Sequence, residues 1–241
     1  MIAPMIHHSL RRSDLSSLVA EIRRTDPQAA RPAARALEEG HIDGLLDSPA
    51  ALDAVLGHGG PPAPLPLPLL WYIPIRAALR ERDIADVELA DFTATLPVVF
   101  SEARASRSLA RGNRGLASWW NAIEAMPSGS VGQGERAADC GAMALWWAGC
   151  FPEALACRGG RGLVRAYEDF ASRVMQLAGR TLARRVPACA ALYERAAACA
   201  SDLSDVLREV RQEFLGPDAA DPEGRLERML RRLGRTMRFD H

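Results

Sequence analysis

Apolar residues recur three and four positions apart along most of the chain, the spacing that places side chains on one face of an α-helix. Leu89, Phe92, Leu96 and Val99 show this spacing over one segment. No segment shows the alternation of apolar and polar residues that is typical of a strand. The pattern therefore predicts an all-α protein, built as a bundle of about eight to ten helices.

The stretch from Pro187 to Leu215 has the most regular pattern, because steps of three and four alternate over about three heptads. This regularity predicts one long helix near the C-terminus. Its apolar seam would pack against other helices of the same chain or against a second copy. The seam consists of Cys189, Leu192, Ala196, Cys199, Leu203, Val206 and Val210.

Capping residues, proline and glycine divide the N-terminal region into three short predicted helices. Ser13, Asp26-Pro27 and Ser48-Pro49 are typical helix starts, because a short polar side chain accepts a bond from a free backbone N–H and proline fits the first turn. Gly40 and Gly57 are typical helix ends.

A stretch rich in glycine and proline, residues 58–66, predicts a linker. It would separate a helical N-terminal subdomain, residues 1–57, from a main helical bundle, residues 67–241. The first helix of the main bundle is strongly apolar, and Pro74 within it predicts a kink because proline has no backbone donor. Pro97 interrupts the next helix in the same way.

Acidic and basic residues balance at 30 each, so no overall field directs the chain to nucleic acid or to an anionic membrane. The chain contains no lysine, which excludes enzymes that need a lysine Schiff base or a phosphate-loop lysine. No apolar run approaches the roughly 18 residues of a membrane span, and no apolar signal segment is seen. We therefore expect a cytoplasmic protein.

The residue types that bind metals or act as nucleophiles are not grouped in the sequence. The five cysteines form no C-x-x-C pair, and we expect them to be reduced and mostly buried. The histidines lie near the termini or in predicted turns, without the Glu-x-x-His pattern of a helical metal site. A G-x-S-x-G motif is also missing. We expect no metal, no cofactor and no identifiable catalytic residue.

The tryptophans occur in pairs, at Trp119-Trp120 and at Trp146-Trp147. Adjacent residues of a helix point about 100° apart, so one ring of a pair can enter the core while the other faces a groove or a partner. Plain filling of the core is the simpler interpretation. A small-molecule site, with or without a reaction, would be a pocket between helices lined by Trp71, Tyr72, Trp120 and Trp147, with Arg76 as its polar anchor.

In each of two regions of the sequence, arginines are spaced so that they would share one face of a helix. Stripes of this kind bind phosphates, a nucleic-acid backbone or acidic partners, although a solvated helix face is the simpler interpretation. A last helix, predicted to start at Asp221-Pro222, is also basic. The two stripes are Arg104, Arg107, Arg111 and Arg114, and then Arg158, Arg161 and Arg165.

Several short runs resemble a family of uncharacterised bacterial all-helical proteins. They are PLPLPLLWY from Pro64 to Tyr72, RAALRE from Arg76 to Glu81 and LADF from Leu89 to Phe92. Phe151-Pro152-Glu153 and Tyr167-Glu168 add to the resemblance. It implies a helical fold and carries no assigned activity, so it transfers no functional residue.

These observations favour an accessory or adaptor protein that binds another macromolecule through helical and arginine-rich faces. The expected partner is another protein or a second copy of the chain. Two alternatives stay open: a small-molecule-binding protein or enzyme with the aromatic-lined pocket, and a nucleic-acid-binding protein that uses the arginine stripes.

Overall fold

A computed structural model describes residues 2–57, 65–101 and 115–215. Within these ranges the chain folds into thirteen helices and no strand, which confirms the all-α class. The helices in chain order are α1 (Ile6–Ser9), α2 (Arg12–Thr25), α3 (Ala30–Glu38), α4 (Ile42–Leu46), α5 (Pro49–Leu56), α6 (Leu67–Arg80), α7 (Val87–Ser101), α8 (Leu116–Glu124), α9 (Val131–Cys150), α10 (Pro152–Gly159), α11 (Arg161–Leu182), α12 (Pro187–Ala198) and α13 (Ala200–Leu215).

The three helices predicted from local signals in the N-terminal region are present as α2, α3 and α5. At the start of α5, the Ser48 hydroxyl accepts a hydrogen bond from the Ala51 N–H at 3.1 Å, and Gly57 ends the helix with a φ of 63°. Helix α2 begins slightly before the predicted cap, because the Asp14 carboxylate accepts from the Arg11 N–H at 2.8 Å.

Two further short helices, α1 and α4, have no clear local signal. Helix α1 is held by the buried Asp91 of α7, whose carboxylate accepts from the backbone N–H groups of Met5, Ile6 and His7 at 2.8 to 2.9 Å. Its start therefore depends on a residue more than 80 positions away in the chain. This explains why more helices are found than the spacing predicts.

Helices α6 and α7 continue through their internal prolines, Pro74 and Pro97. Helix α6 is almost wholly buried, and α5, α7 and α13 pack around it. Tertiary packing thus holds a helix at positions where proline removes a backbone donor.

Helices α9 and α11 form an antiparallel pair in which glycines allow close approach. A Cβ at Gly134 would lie 2.8 Å from the Leu182 side chain, and one at Gly141 would lie 2.7 Å from the Met175 side chain. At the other end of α9, a Cβ at Gly149 would lie 2.5 Å from the Leu207 Cβ of α13. Side chains larger than hydrogen do not fit at these three positions.

The stretch from Pro187 to Leu215 consists of two helices, α12 and α13, that meet at Cys199. The backbone of Cys199 leaves the helical region, with a φ of −109° and a ψ of 17°. Near this break the Ser172 hydroxyl of α11 donates to the Ala197 carbonyl at 2.7 Å. Most of the predicted seam faces the core of the same chain: Leu192, Ala196, Leu203, Val206 and Val210 are buried, and Cys189 and Cys199 are partly buried.

One core cluster contains apolar residues from α1 to α5 together with residues from the later helices. Residues 58–64 of the predicted linker lie outside the described ranges, as does the predicted basic helix from Asp221. In the described part of the chain, no helix has both the length and the apolar content needed to cross a membrane.

Candidate functional site

Arg76 of α6 lies at the centre of a polar cluster, which we call the Arg76 cluster. Its guanidinium donates to both carboxylate oxygens of Asp47, to Asp43 at 2.8 Å and to the Tyr72 hydroxyl at 2.9 Å. His7 of α1 is also part of the cluster, with its Nε2 3.3 Å from an Asp43 oxygen. The cluster therefore ties α1 and α4 to α6.

Burial and ion pairing shift the pKa values of groups in this cluster. Burial raises the pKa of Tyr72 to about 12, although the neighbouring Arg76 acts in the opposite direction. Burial alone would raise the pKa of Asp43, but the hydrogen bond and charge of Arg76 lower it below its ordinary value. The cluster thus contains charged Arg76 and Asp43 and a neutral Tyr72 at neutral pH.

The residues predicted as one side of a small-molecule pocket are packed into the interior. Trp71 and Tyr72 are 0% exposed, and the Trp71 ring contacts the Phe214 ring of α13 at 5.4 Å between centroids. Arg76 is 6% exposed, with four hydrogen bonds to protein groups. The donors of Arg76 are engaged within the chain, so the side chain links α6 to Asp43 and Asp47.

A shallow cleft of about 340 Å³ lies beside the Arg76 cluster, between α4, α5 and α6. Its floor is apolar, with Ile73 and Leu52 among the lining residues, and Asp47, Arg80 and Glu81 are its charged residues. None of the predicted aromatic candidates lines it.

The members of the two tryptophan pairs differ in exposure, as expected from their adjacent positions on a helix. Trp146 is 5% exposed and stacks with Phe100, whereas Trp147 is only partly buried. Trp119 is partly buried, and Trp120 is 40% exposed.

We use the name aromatic surface for a group of aromatic rings on α8, α9 and α11, together with the ring of Phe151, the residue just before α10. The Trp119 ring of α8 contacts the Tyr167 ring at 5.7 Å, so α8 lies against α11. The Trp147 ring contacts Phe151 at 5.1 Å, at the junction of α9 and α10. The surface consists of six partly buried or exposed residues: Trp119, Trp120, Trp147, Phe151, Tyr167 and Phe170.

Arg158 of α10 lies over one ring of the aromatic surface. Its guanidinium carbon is 5.8 Å from the centre of the Trp147 ring, within the range of a cation–π contact. Burial raises the pKa of Tyr167, and the positive charge of Arg158 is close enough to act in the opposite direction. The side chain of Arg158 is exposed.

Phe151 was not predicted to be part of a site, although it follows Trp147 by one helical turn. Of the predicted residues, Trp120 and Trp147 belong to the aromatic surface, whereas Trp71, Tyr72 and Arg76 do not. Arg104, Arg107, Arg111 and Arg114 lie outside the described residues. In the second stripe, Arg158 and Arg165 are exposed.

Buried thiols are kept protonated. Burial raises the pKa of Cys140 to about 11 and that of Cys150 well above its ordinary value. Among the described residues, no group of three or more His, Cys, Asp and Glu side chains is placed to hold a metal ion.

No protein-family model, curated protein or solved structure matches this chain.

Proposed function

We propose that the protein is an accessory protein that binds another protein through the aromatic surface. The observation that carries the proposal is the 40% exposure of Trp120 on a helix whose neighbouring ring, Trp119, is packed against Tyr167. Of the described residues, three large hydrophobic side chains are exposed, and Trp120 is the aromatic one among them.

Exposed tryptophan beside arginine is typical of protein interfaces. Trp, Tyr and Arg are enriched at the residues that contribute most to binding, because they bury a large area with few rotatable bonds or offer several donors. The aromatic surface contains three tryptophans and a tyrosine, and Arg158 lies over one of its rings. Five of the six rings, all except Trp120, contact another ring of the surface, which lowers the entropy that these five lose on binding.

The small-molecule alternative has less support. Three of its five predicted residues, Trp71, Tyr72 and Arg76, are in the interior and make contacts within the chain. The remaining two, Trp120 and Trp147, are at the surface, where a protein partner can reach them.

The proposal is tested by affinity purification of the tagged full chain from its native host at two salt concentrations. The wild type is compared with the double variant Trp120→Ala/Trp147→Ala. The matched control is Val87→Ala, because Val87 is a 38% exposed apolar residue on a different helix, α7. Thermal unfolding of all three proteins establishes that they are folded.

We expect the wild type and the control to retain one protein in stoichiometric amount, and the double variant to retain at least about tenfold less. Truncating residues of this type costs about 2 kcal/mol or more of binding free energy, which corresponds to more than tenfold in affinity. Equal retention by the double variant, or retention of nucleic acid alone that is lost at high salt, would contradict the proposal.

A further inference from the structure

The cleft between α4, α5 and α6 presents apolar side chains to solvent. Leu52, Ile73 and Ala77 are among the residues that line it, and Leu52 and Ala77 are only partly buried. Arg80 and Glu81, at the end of α6, are charged residues of the same cleft. An apolar groove bordered by charged residues is typical of a surface that binds an amphipathic helix.

Negative charge predominates on the helices that form this cleft. Residues 42–83, which include every residue that lines it, contain five acidic residues and three arginines. One of the arginines, Arg82, is paired with Glu209 of α13 at 2.6 Å. In the described part of the chain, the exposed Glu81 side chain makes no hydrogen bond or ion pair, and the side chain of Asp43 is 61% exposed. The cleft therefore favours a basic segment.

A segment of this chain outside the described residues has the complementary composition. Residues 225–238 contain six arginines and one acidic residue. The spacing of their apolar residues predicts a helix with one apolar face, and the arginines would lie on the opposite face. The apolar residues are Leu226, Met229, Leu230, Leu233 and Met237.

The chain that follows α13 is long enough to reach the cleft. Helix α13 ends at Leu215, and the ring of Phe214 lies 5.4 Å from the ring of Trp71 on α6, the helix that also contributes Ile73 to the cleft. Residues 216–224 can span up to about 30 Å, whereas α6 is about 21 Å long and about 10 Å across. A tethered segment within reach of a site has a high effective concentration there.

We infer that residues 225–238 of this chain bind the cleft, with their apolar face on Leu52, Ile73 and Ala77 and their arginines beside Glu81. Another molecule then reaches the cleft only after this segment leaves it. The inference does not rest on the proposed function, because the cleft is formed by α4 to α6 and the aromatic surface lies on α8 to α11.

A synthetic peptide tests the inference on the full chain. The probe is a fluorescently labelled peptide of residues 222–241, and the comparison peptide has the same composition in scrambled order. The wild type is compared with the double variant Leu230→Arg/Leu233→Arg, which interrupts the apolar face of the segment and changes no described residue. Fluorescence anisotropy measures binding, and thermal unfolding establishes that each protein is folded.

We expect the labelled peptide to bind the double variant at least about tenfold more tightly than the wild type. In the wild type the chain's own segment occupies the cleft at a high effective concentration, and in the double variant the cleft is free. The scrambled peptide is expected to bind the double variant at least about tenfold more weakly than the native peptide.

A charge reversal at the rim locates the binding site of the peptide. Glu81→Arg, added to the double variant, is expected to weaken peptide binding about fivefold or more, because it places a positive charge beside the arginines of the peptide. Its matched control is Glu135→Arg, since Glu135 is an exposed acidic residue on α9. The control is expected to bind as the double variant does. If Glu81→Arg is not folded, Glu81→Gln takes its place, with an expected loss of about twofold or more.

Four outcomes would overturn the inference. They are equal affinity of the peptide for the wild type and the double variant, equal affinity of the native and scrambled peptides, the same affinity with and without the change at Glu81, and an equal loss with Glu135→Arg. Absence of saturable binding to the double variant also overturns it.

Vesicles that contain phosphatidylserine are a further probe, because a basic amphipathic segment also suits an anionic membrane surface. Under the inference, the wild-type chain binds these vesicles no more tightly than the double variant does. Vesicle binding that is lost in the double variant, together with no binding of the peptide to the cleft, would assign the segment to a membrane and overturn the inference.

Discussion

Two arginines of this protein lie over aromatic rings at almost the same distance, yet their surroundings differ. The guanidinium carbon of Arg76 is 5.7 Å from the centre of the Tyr72 ring, and that of Arg158 is 5.8 Å from the centre of the Trp147 ring. Arg76 is 6% exposed and paired with two aspartates, whereas Arg158 is exposed. Contact with a ring therefore does not by itself identify a binding residue. Burial distinguishes the structural arginine from the accessible one.

The largest expected effect is the difference in the free energy of unfolding between truncation of a core tryptophan and truncation of a surface tryptophan. Trp146→Ala should lower the free energy of unfolding by about 3 to 5 kcal/mol, because it leaves a cavity in the core. Trp120→Ala should change it by less than about 1 kcal/mol, since the side chain is already 40% exposed. Urea unfolding measures both. A large loss for Trp120→Ala would place its ring in the core and remove it from the aromatic surface.

The second prediction removes each of these two arginines in turn. Arg76→Met should lower the free energy of unfolding by about 3 kcal/mol, because Asp47 loses both of its hydrogen bonds from a buried partner. Arg158→Met should cost less than about 1 kcal/mol. Chemical denaturation under identical conditions compares them. Equal losses would show that the two arginines are both structural.

A third prediction tests the close packing of α9 against α13. Gly149→Ala should destabilise the protein by about 1 to 3 kcal/mol, since the added Cβ would lie 2.5 Å from the Leu207 Cβ. Gly132→Ala on the same helix is the control, because the nearest atoms to its Cβ are 3.9 Å away. The control should be neutral or more stable by up to about 1 kcal/mol. Equal thermal stability of the two variants would mean that α9 and α13 are further apart than the structure has them.

The smallest expected effect is on the way in which stability depends on pH. The pKa of Asp43 is lowered in the folded protein, so the carboxylate contributes stability above its ordinary value of 3.8 and this contribution is lost as the pH falls through the lower, folded value. Glu153, paired with Arg211, behaves in the same way below its ordinary value of 4.5. Wild-type stability should therefore decrease as the pH falls below these values.

Arg76→Met should show a weaker decrease, since Asp43 then loses the partner that lowers its pKa. Denaturant unfolding at a series of pH values measures the difference. An identical slope for the wild type and Arg76→Met would mean that the Arg76–Asp43 pair does not contribute.

Local signals in the sequence predicted those parts of the fold that depend on neighbouring residues. Ser48 and Gly57 mark the two ends of α5 because capping involves only the adjacent backbone. Helix α1 could not be predicted in this way, because the carboxylate that holds it belongs to Asp91. The break at Cys199 could not be predicted from neighbouring residues either, since the Ser172 hydroxyl near it comes from α11.

The candidate site was predicted in part for a related reason. Adjacent helical positions differ in direction, so the sequence could indicate that one ring of Trp146-Trp147 faces outward. It could not indicate that Arg76 is engaged by Asp43 and Asp47, which lie about 30 residues earlier in the chain. Arg158 and Arg76 look alike in the sequence, and only the tertiary structure separates them.

Amide hydrogen exchange of the full chain, alone and in complex with the protein that it captures, tests the central claim most directly. The account predicts slower exchange in α8, Leu116–Glu124, and in α10, Pro152–Gly159, on formation of the complex, with no change in α4 and α5, Ile42–Leu56, beside the Arg76 cluster. Protection confined to α4 and α5, with none in α8 or α10, would contradict the claim that the aromatic surface is the binding site.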